Sequence, residues 1–398
     1  MKTRYKKKKK IIRKIVTITV FILVIAGTLY LGRNLPRNVA DWYSAEVFPS
    51  IAAVPQRISS LTGISLTEIT TVVLGCLALP LLLFWLVLLI KRSLTRGIGR
   101  FLYKSLRNTL AVIMVGLILF EFLHGFNYRR TPARSMLGLG TEQLTLDDYF
   151  EAFEWAYAGM IKARSELEED ERGVAKMSSD FEETSRYASA VVDSFCASYK
   201  IAKYKGFSRA KSVRLSHYWS WTYIVGTYNL YYGEANVNTD YYDVTSIPTT
   251  TCHELCHAKG FANETDCNLL GAFACISSDR ADFRYSGYYT IYFSLLGEIT
   301  KIGKKMGFKY DTHLSDKDFL PVARDYVASV NYWKSIDEEV EDIQKKLGIN
   351  ITEQALAANN RFLESNGEKG GNETYNVPEN EYVDFYLKYI AHKGGSDA

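Results

Sequence analysis

In this 398-residue chain, the side chains that could do chemistry at a defined spacing are concentrated in Thr251-Cys252-His253-Glu254-Leu255-Cys256-His257. His253 and His257 stand at i and i+4, on one face of a helix, so two imidazole nitrogens can reach one metal ion. Glu254 follows the first histidine, where its carboxylate reaches a water on the metal rather than the metal itself. The chain has six histidines, so a pairing this close is not expected by chance. A plainer reading makes Thr251 and Glu254 a capping box, with the histidines as polar residues of a first turn.

A catalytic zinc needs a third protein ligand and an open position for water. Gly260, three residues after His257, is placed to end the helix in a left-handed conformation. The chain can then reverse into a second helix beginning near Asn263. Glu264 and Asn268, four apart, share a face of that helix, so one can bind metal while the other contacts a ligand histidine and fixes its tautomer. Asp266 is the second choice as ligand, and both acids also fit ordinary decoration of a helix N-terminus. The expected chemistry is hydrolysis of an amide by zinc-activated water, with Glu254 as general base and then as proton donor to the leaving nitrogen. Tyr285, His313 and Tyr375 are candidates for stabilising the oxyanion.

Two chemically different halves must position these groups. Through Phe126 there are 18 Lys and Arg against four acids, and afterwards 30 against 40. The overall charge of +4 averages a basic membrane portion and an acidic soluble one, and no nucleic-acid signature accompanies it. Residues 1–14 read as a basic cytoplasmic N-terminus. Residues 15–126 read as a membrane region with three spans, at about 15–31, 69–90 and 109–126. The third contains Glu121, and Phe122, Phe126 and Tyr128 fit an interfacial aromatic belt. Basic segments 2–14 and 91–107 should be cytoplasmic, which puts residues 127–398 outside. Reading the first span as a cleaved signal peptide leaves that sidedness unchanged. Ser65 and Glu68 read as a capping box at the outer end of the second span.

In the soluble half, residues 144–167 should be a helix capped by Thr145 and Asp148, followed by a helix over 180–204. Residues 212–238, rich in Tyr, Trp, Val and Thr, read as strands and turns. Helices are expected again over 289–306, 317–347 and 352–365, with a glycine-marked turn at 366–371. Gly233 to Asn238 reads either as an edge strand that pairs with an extended peptide or as a plain sheet strand. Cys76, Cys196, Cys252, Cys256, Cys267 and Cys275 form no spaced disulfide framework and read as small buried side chains, with a disulfide among the last four as the alternative. The Asn-x-Thr triplets at Asn263, Asn350 and Asn372 are coincidental on this reading.

The spacing His253-Glu254-x-x-His257 followed by Glu264-x-x-x-Asn268 resembles the glutamate-liganded zincins. More closely, the chain resembles domain-of-unknown-function family 3810, bacterial membrane proteins predicted to be zinc peptidases. The matching features are the three spans, Asn127-Tyr128-Arg129-Arg130, Gly233 through Asn238, His253 through Gly260, and Glu264 through Asn268. Arg284-Tyr285-Ser286-Gly287 and Ser365-Asn366-Gly367 match too. The chain departs from the pattern at His124, where a Trp is expected, and at Asp266 and Cys267, which stand for Glu-Ala. The resemblance implies a peptidase class and no particular substrate.

The expected architecture is therefore a multi-span membrane anchor plus a mainly helical α+β, zincin-like extracytoplasmic domain holding one zinc per chain. Its partners would be the lipid bilayer and an extended peptide, protein or cell-wall peptide. The competing reading is a membrane sensor or scaffold whose zinc site is structural or degenerate. Thiolates of Cys252, Cys256 or Cys267 closing the coordination would favour that reading.

Overall fold

The computed structural model describes residues 2–95, 97–140, 143–202 and 206–391. Three long helices, α1 (Lys2–Asn34), α4 (Leu66–Leu94) and α5 (Ile98–Leu123), contain segments long and apolar enough to cross a membrane, as a multi-pass membrane protein requires. They run longer than the apolar windows of the sequence. At 1.5 Å per residue α5 extends about 39 Å, beyond the roughly 30 Å hydrocarbon core of a bilayer. Glu121, the one acid of that span, does not face lipid. Its carboxylate is buried against Gly32 of α1 and Gly125, where a β-carbon at either glycine would overlap it.

The segment between the first two spans, unassigned from sequence, is helical: α2 (Arg37–Trp42), one π-helical turn (Tyr43–Val47) and α3 (Phe48–Ser59). It packs on the soluble half, with Gln56 Nε2 donating to the Ala258 carbonyl at 2.8 Å. Beyond α5 come α6 (Ala133–Met136), α7 (Leu146–Ser165), α8 (Phe181–Ser198), α9 (Ser216–Ser220), α10 (Ile247–Ala258), α11 (Glu264–Ile276) and α12 (Ala281–Met306). They are followed by α13 (Leu320–Leu347), α14 (Ile351–Asn366) and α15 (Glu379–Tyr389). Thr145 and Asp148 form the expected reciprocal cap of α7. Two of the Asn-x-Thr asparagines are helix caps, since Asn263 and Asn350 accept from the amides of Asp266 and Glu353. The sequence reading missed α15, whose Phe385 stacks on Phe273 of α11 at 3.7 Å and closes the core over it.

The central helix is α10, buried among α8, α11, α12 and the sheet. That sheet has three short strands, β1 (Ala210–Ser212), β2 (Gly226–Asn229) and β3 (Glu234–Val237), in the order β1-β3-β2. β1 is parallel to β3 and β2 is antiparallel to it. The stretch from Gly233 to Asn238 is thus the middle of the sheet and not an edge. The edges are β1 and β2, each pairing on one side only among the described residues, and β2 is the edge next to the histidine cluster.

Glu234 of β3 turns its fully buried side chain toward the membrane helices. The carboxylate accepts from the Leu66 and Thr67 amides at 3.1 and 3.0 Å, so it caps the N-terminus of α4. Lys211 of β1 donates to it at 2.6 Å and also holds the carbonyls of Ser59 and Ile64. Burial pushes the carboxyl pKa up, but the Lys211 ammonium and the two amides outweigh this and hold it below its ordinary value. The capping box expected at Ser65 is half formed. Ser65 accepts from the Glu68 amide, while the Glu68 carboxylate is taken by the amides of Arg214 and Leu215. With Glu234 already serving the exposed amides of α4, Glu68 is free to tie the span to the start of α9.

Removing one member of a buried pair leaves an uncompensated charge, at a cost of about 3–5 kcal/mol. Glu234→Gln should therefore lower the thermal stability of the detergent-solubilised chain, and adding Lys211→Met should recover most of the loss. Equal losses in the single and double variants would remove the ion pair from this account.

Candidate metal centre

The histidine helix begins at Ile247, with Pro248 in its first turn, so Thr251 and Glu254 lie inside it and form no capping box. Thr251 Oγ1 donates to the Ile247 carbonyl instead. Gly260 takes the left-handed conformation anticipated for it (φ +81°), with Phe48 packed where a β-carbon would sit. The chain reverses there and α11 starts at Glu264.

This reversal brings three acceptor atoms together. His253 Nε2 and His257 Nε2 are 3.1 Å apart, and Glu264 Oε2 lies 3.1 and 3.4 Å from them. Zinc–ligand bonds of about 2.0–2.1 Å in a tetrahedron require ligand atoms roughly 3.3 Å apart, which these separations match. The far side of each ring is also occupied. His253 Nδ1 lies 2.6 Å from Asn268 Oδ1, and the Asn268 amide is oriented by donating to the Tyr375 carbonyl. His257 Nδ1 lies 2.8 Å from the Phe261 carbonyl. With both Nδ1 atoms donating outward, both Nε2 lone pairs point at one another and at a carboxylate. A positive charge between them relieves that arrangement, and the separations fit a zinc ion. Without one, burial depresses the His257 imidazolium but Glu264 more than reverses this, raising its pKa to about 9. Burial disfavours the Glu264 carboxylate, yet the two histidines hold its pKa well below the ordinary range.

Asp266, the alternative ligand, does not join the cluster. Its buried carboxyl turns toward the Ala133 amide, and desolvation, only partly offset by that bond and by Arg130 and Arg134, lifts its pKa to about 6. The thiols do not join it either. All six cysteines are unpaired, and Cys252, Cys256 and Cys267 are buried, with pKa values raised well above the usual thiol range. Cys267 Sγ sits 3.3 Å from His257 Nδ1, on the side of the ring away from the cluster.

A cavity of about 600 Å³ opens beside the three donors, lined by Glu254, Asn268, Gly226, Tyr228, Tyr375 and His124 among others. Glu254 is buried next to the three donor atoms, its Oε2 has no hydrogen-bond partner among the described residues, and desolvation lifts its pKa to about 7. A β-carbon at Gly226 would overlap the Glu254 carboxylate, so glycine lets the edge strand β2 approach it. Of the three oxyanion candidates only Tyr375 lines the cavity. Burial raises its phenol pKa far above the ordinary value, which keeps it a neutral donor. Tyr285 is fully buried and donates to Asp325 at 2.7 Å. His313 is held by Glu154 and Asp316. Both are structural because their polar atoms are already committed to these carboxylates, outside the cavity.

Two cavity residues escaped the sequence reading of the site. Tyr128, assigned to an interfacial belt, turns inward, and its buried hydroxyl has no partner among the described residues. His124, noticed only as a departure from a family pattern, places its ring 5.9 Å from that of His257. The signal was their place immediately after the third span, followed by Arg130. That arginine donates to the Gly260 carbonyl at 2.8 Å and lies over the Phe261 ring, so it pins the reversal between the two ligand helices.

Fold and site define a class: a mainly helical protein with three helices long and apolar enough to cross a membrane and a buried His-His-Glu cluster on two consecutive helices. The chain belongs to the family described as "Protein of unknown function (DUF3810)", which matches residues 43–378. No curated protein and no solved structure matches it.

His257→Ala and Glu264→Gln should each remove most of the zinc from the purified chain, and Asp266→Asn should keep it. Asn268→Ala should weaken binding about 10–100-fold, as expected on losing a group that orients a ligand. Metal analysis and chelator competition on the four variants check this, and a larger loss in the Asp266 variant would reverse the ligand assignment.

Proposed function

We propose that this chain is a membrane-anchored zinc metallopeptidase that cleaves peptide bonds outside the cytoplasm. The observation that carries the reading is the buried Glu254 carboxylate, whose Oε2 has no hydrogen-bond partner among the described residues, beside three converging donor atoms and facing an open cavity. A structural zinc site has no use for a base there, and the buried thiols are not placed to close the coordination. Zinc held by His253, His257 and Glu264 supplies Lewis acidity and makes water a nucleophile near neutral pH. Glu254, with its pKa raised by burial, takes a proton from water and delivers it to the leaving nitrogen. The water oxygen bonds to the carbonyl carbon and the C–N bond breaks. The free side of β2 gives an extended peptide a backbone to pair with beside Glu254. Tyr375 and Tyr128 offer phenol donors for the oxyanion.

General-base assistance contributes about a hundredfold to ten-thousandfold in rate. Glu254→Gln should therefore retain zinc and fold while losing nearly all cleavage in a broad peptide screen that includes wall peptides. Wild-type turnover in this variant would exclude the mechanism. A zinc-loaded wild type that cuts nothing would favour a sensor or scaffold.

The extracytoplasmic placement rests on the basic segments 2–14 and 91–107. Reporter fusions after the last residue and between the second and third spans should report opposite sides of the membrane. A cytoplasmic signal from the C-terminal fusion contradicts this orientation.

A further inference from the structure

We infer that the substrates are membrane-tethered chains, cut at peptide bonds close to the bilayer surface; this rests on the peptidase reading above. The geometry of the cavity carries it. His124 is the first residue after the third span, and its ring is 5.9 Å from the ligand His257 and 6.1 Å from Tyr228 of β2. Counted from Thr109, past the basic cytoplasmic segment, α5 rises only about 22 Å to Leu123, less than the roughly 30 Å hydrocarbon core, so the metal-donor residues beside His124 sit no higher than headgroup level.

The cavity wall reaches lower still. In the turn from β2 to β3, Tyr231 Oη donates to the Gly116 carbonyl at 3.3 Å, and Tyr232 bonds Thr70 of α4 at 2.7 Å. Gly116 lies seven residues, or about 10 Å, below the end of α5. Tyr231 is nearly half exposed there, as an interfacial tyrosine would be. Phe362 of α14 lines the cavity and packs on Phe120 of α5 at 6.3 Å between ring centroids. It also lines a second, smaller cavity between α1 and α5. The edge strand β2 therefore has its C-terminal end in the membrane surface. A peptide paired along it is one that descends toward, or emerges from, the bilayer.

The test uses the full chain in liposomes with a single-span substrate carrying one cleavable sequence. That sequence is placed either about 5 or about 40 residues from the membrane, spans of roughly 17 and 130 Å when extended. The same sequence is also offered as a free peptide. Tethering raises the local concentration of both bonds, so the near-to-far comparison separates reach from concentration. The near bond should be cut at least tenfold faster than the far one, and the free peptide slowest. Equal rates for near and far bonds overturn the inference while leaving the peptidase reading intact. No cleavage in any arm, with zinc bound, overturns both.

A second measurement needs no turnover. Spin labels at Tyr231→Cys and Phe362→Cys, in a Cys76→Ser background, should be shielded from a water-soluble relaxation agent compared with a label at exposed Lys334→Cys. Equal accessibility at the three positions also overturns the inference.

Discussion

Two imidazole nitrogens and a carboxylate oxygen within 3.4 Å of one another form a knot of lone pairs that is stable only around a positive charge. Much of the soluble half serves to hold that unfavourable grouping in place. Asn268 and the Phe261 carbonyl take the outer ring nitrogens and thereby choose the tautomer that exposes both inner ones. Arg130 holds the reversal between the helices, and the Tyr375 carbonyl holds Asn268. Each contact is modest alone, but together they deny the side chains the rotations by which they would otherwise avoid one another.

The same economy links the site to the membrane. Glu234 sits on the strand next to β2, the cavity wall, and caps a membrane helix with Lys211 as its counter-charge. A buried carboxylate is tolerable there because it is fully partnered, by an ammonium, two amides and two hydroxyls. Buried hydrogen bonds and strand pairing connect helix, strand and site. The sheet is too small to be stable alone, and its docking on α4 and α10 supplies what three short strands cannot.

Burial tunes the acids in opposite directions according to their partners. Glu254, with no hydrogen-bond partner for one oxygen among the described residues, is lifted toward neutrality, the range in which the proposed general base would work. Glu264, equally buried, is held ionised by two histidines. Asp266, two residues on, is lifted instead because its helix face turns it away from the histidines, toward α6.

The sequence determined whatever depends on local periodicity. The three spans follow from apolar run length, the histidine pair from i, i+4 spacing, and the left-handed Gly260 from its place after a helix. The Thr145 cap and the Glu264–Asn268 pairing are local in the same way. Charge alone does not separate Glu264 from Asp266, since both open the same helix; the i, i+4 spacing to Asn268 favours Glu264, and the direction of the helix face relative to α10 puts Glu264 in the cluster and Asp266 outside it. Sequence could not tell that β3 is central and β2 an edge, because strand order is set by pairing between segments whose local signals are alike. Tyr285 and His313 read as candidates on residue type alone, and tertiary packing gave them to Asp325 and to Glu154. His124 and Tyr128 read as the end of a membrane helix, and only the docking of that helix beside α10 made them walls of the cavity. Residue type and spacing are properties of one segment, whereas which polar groups share a buried space depends on how segments far apart in the chain pack together.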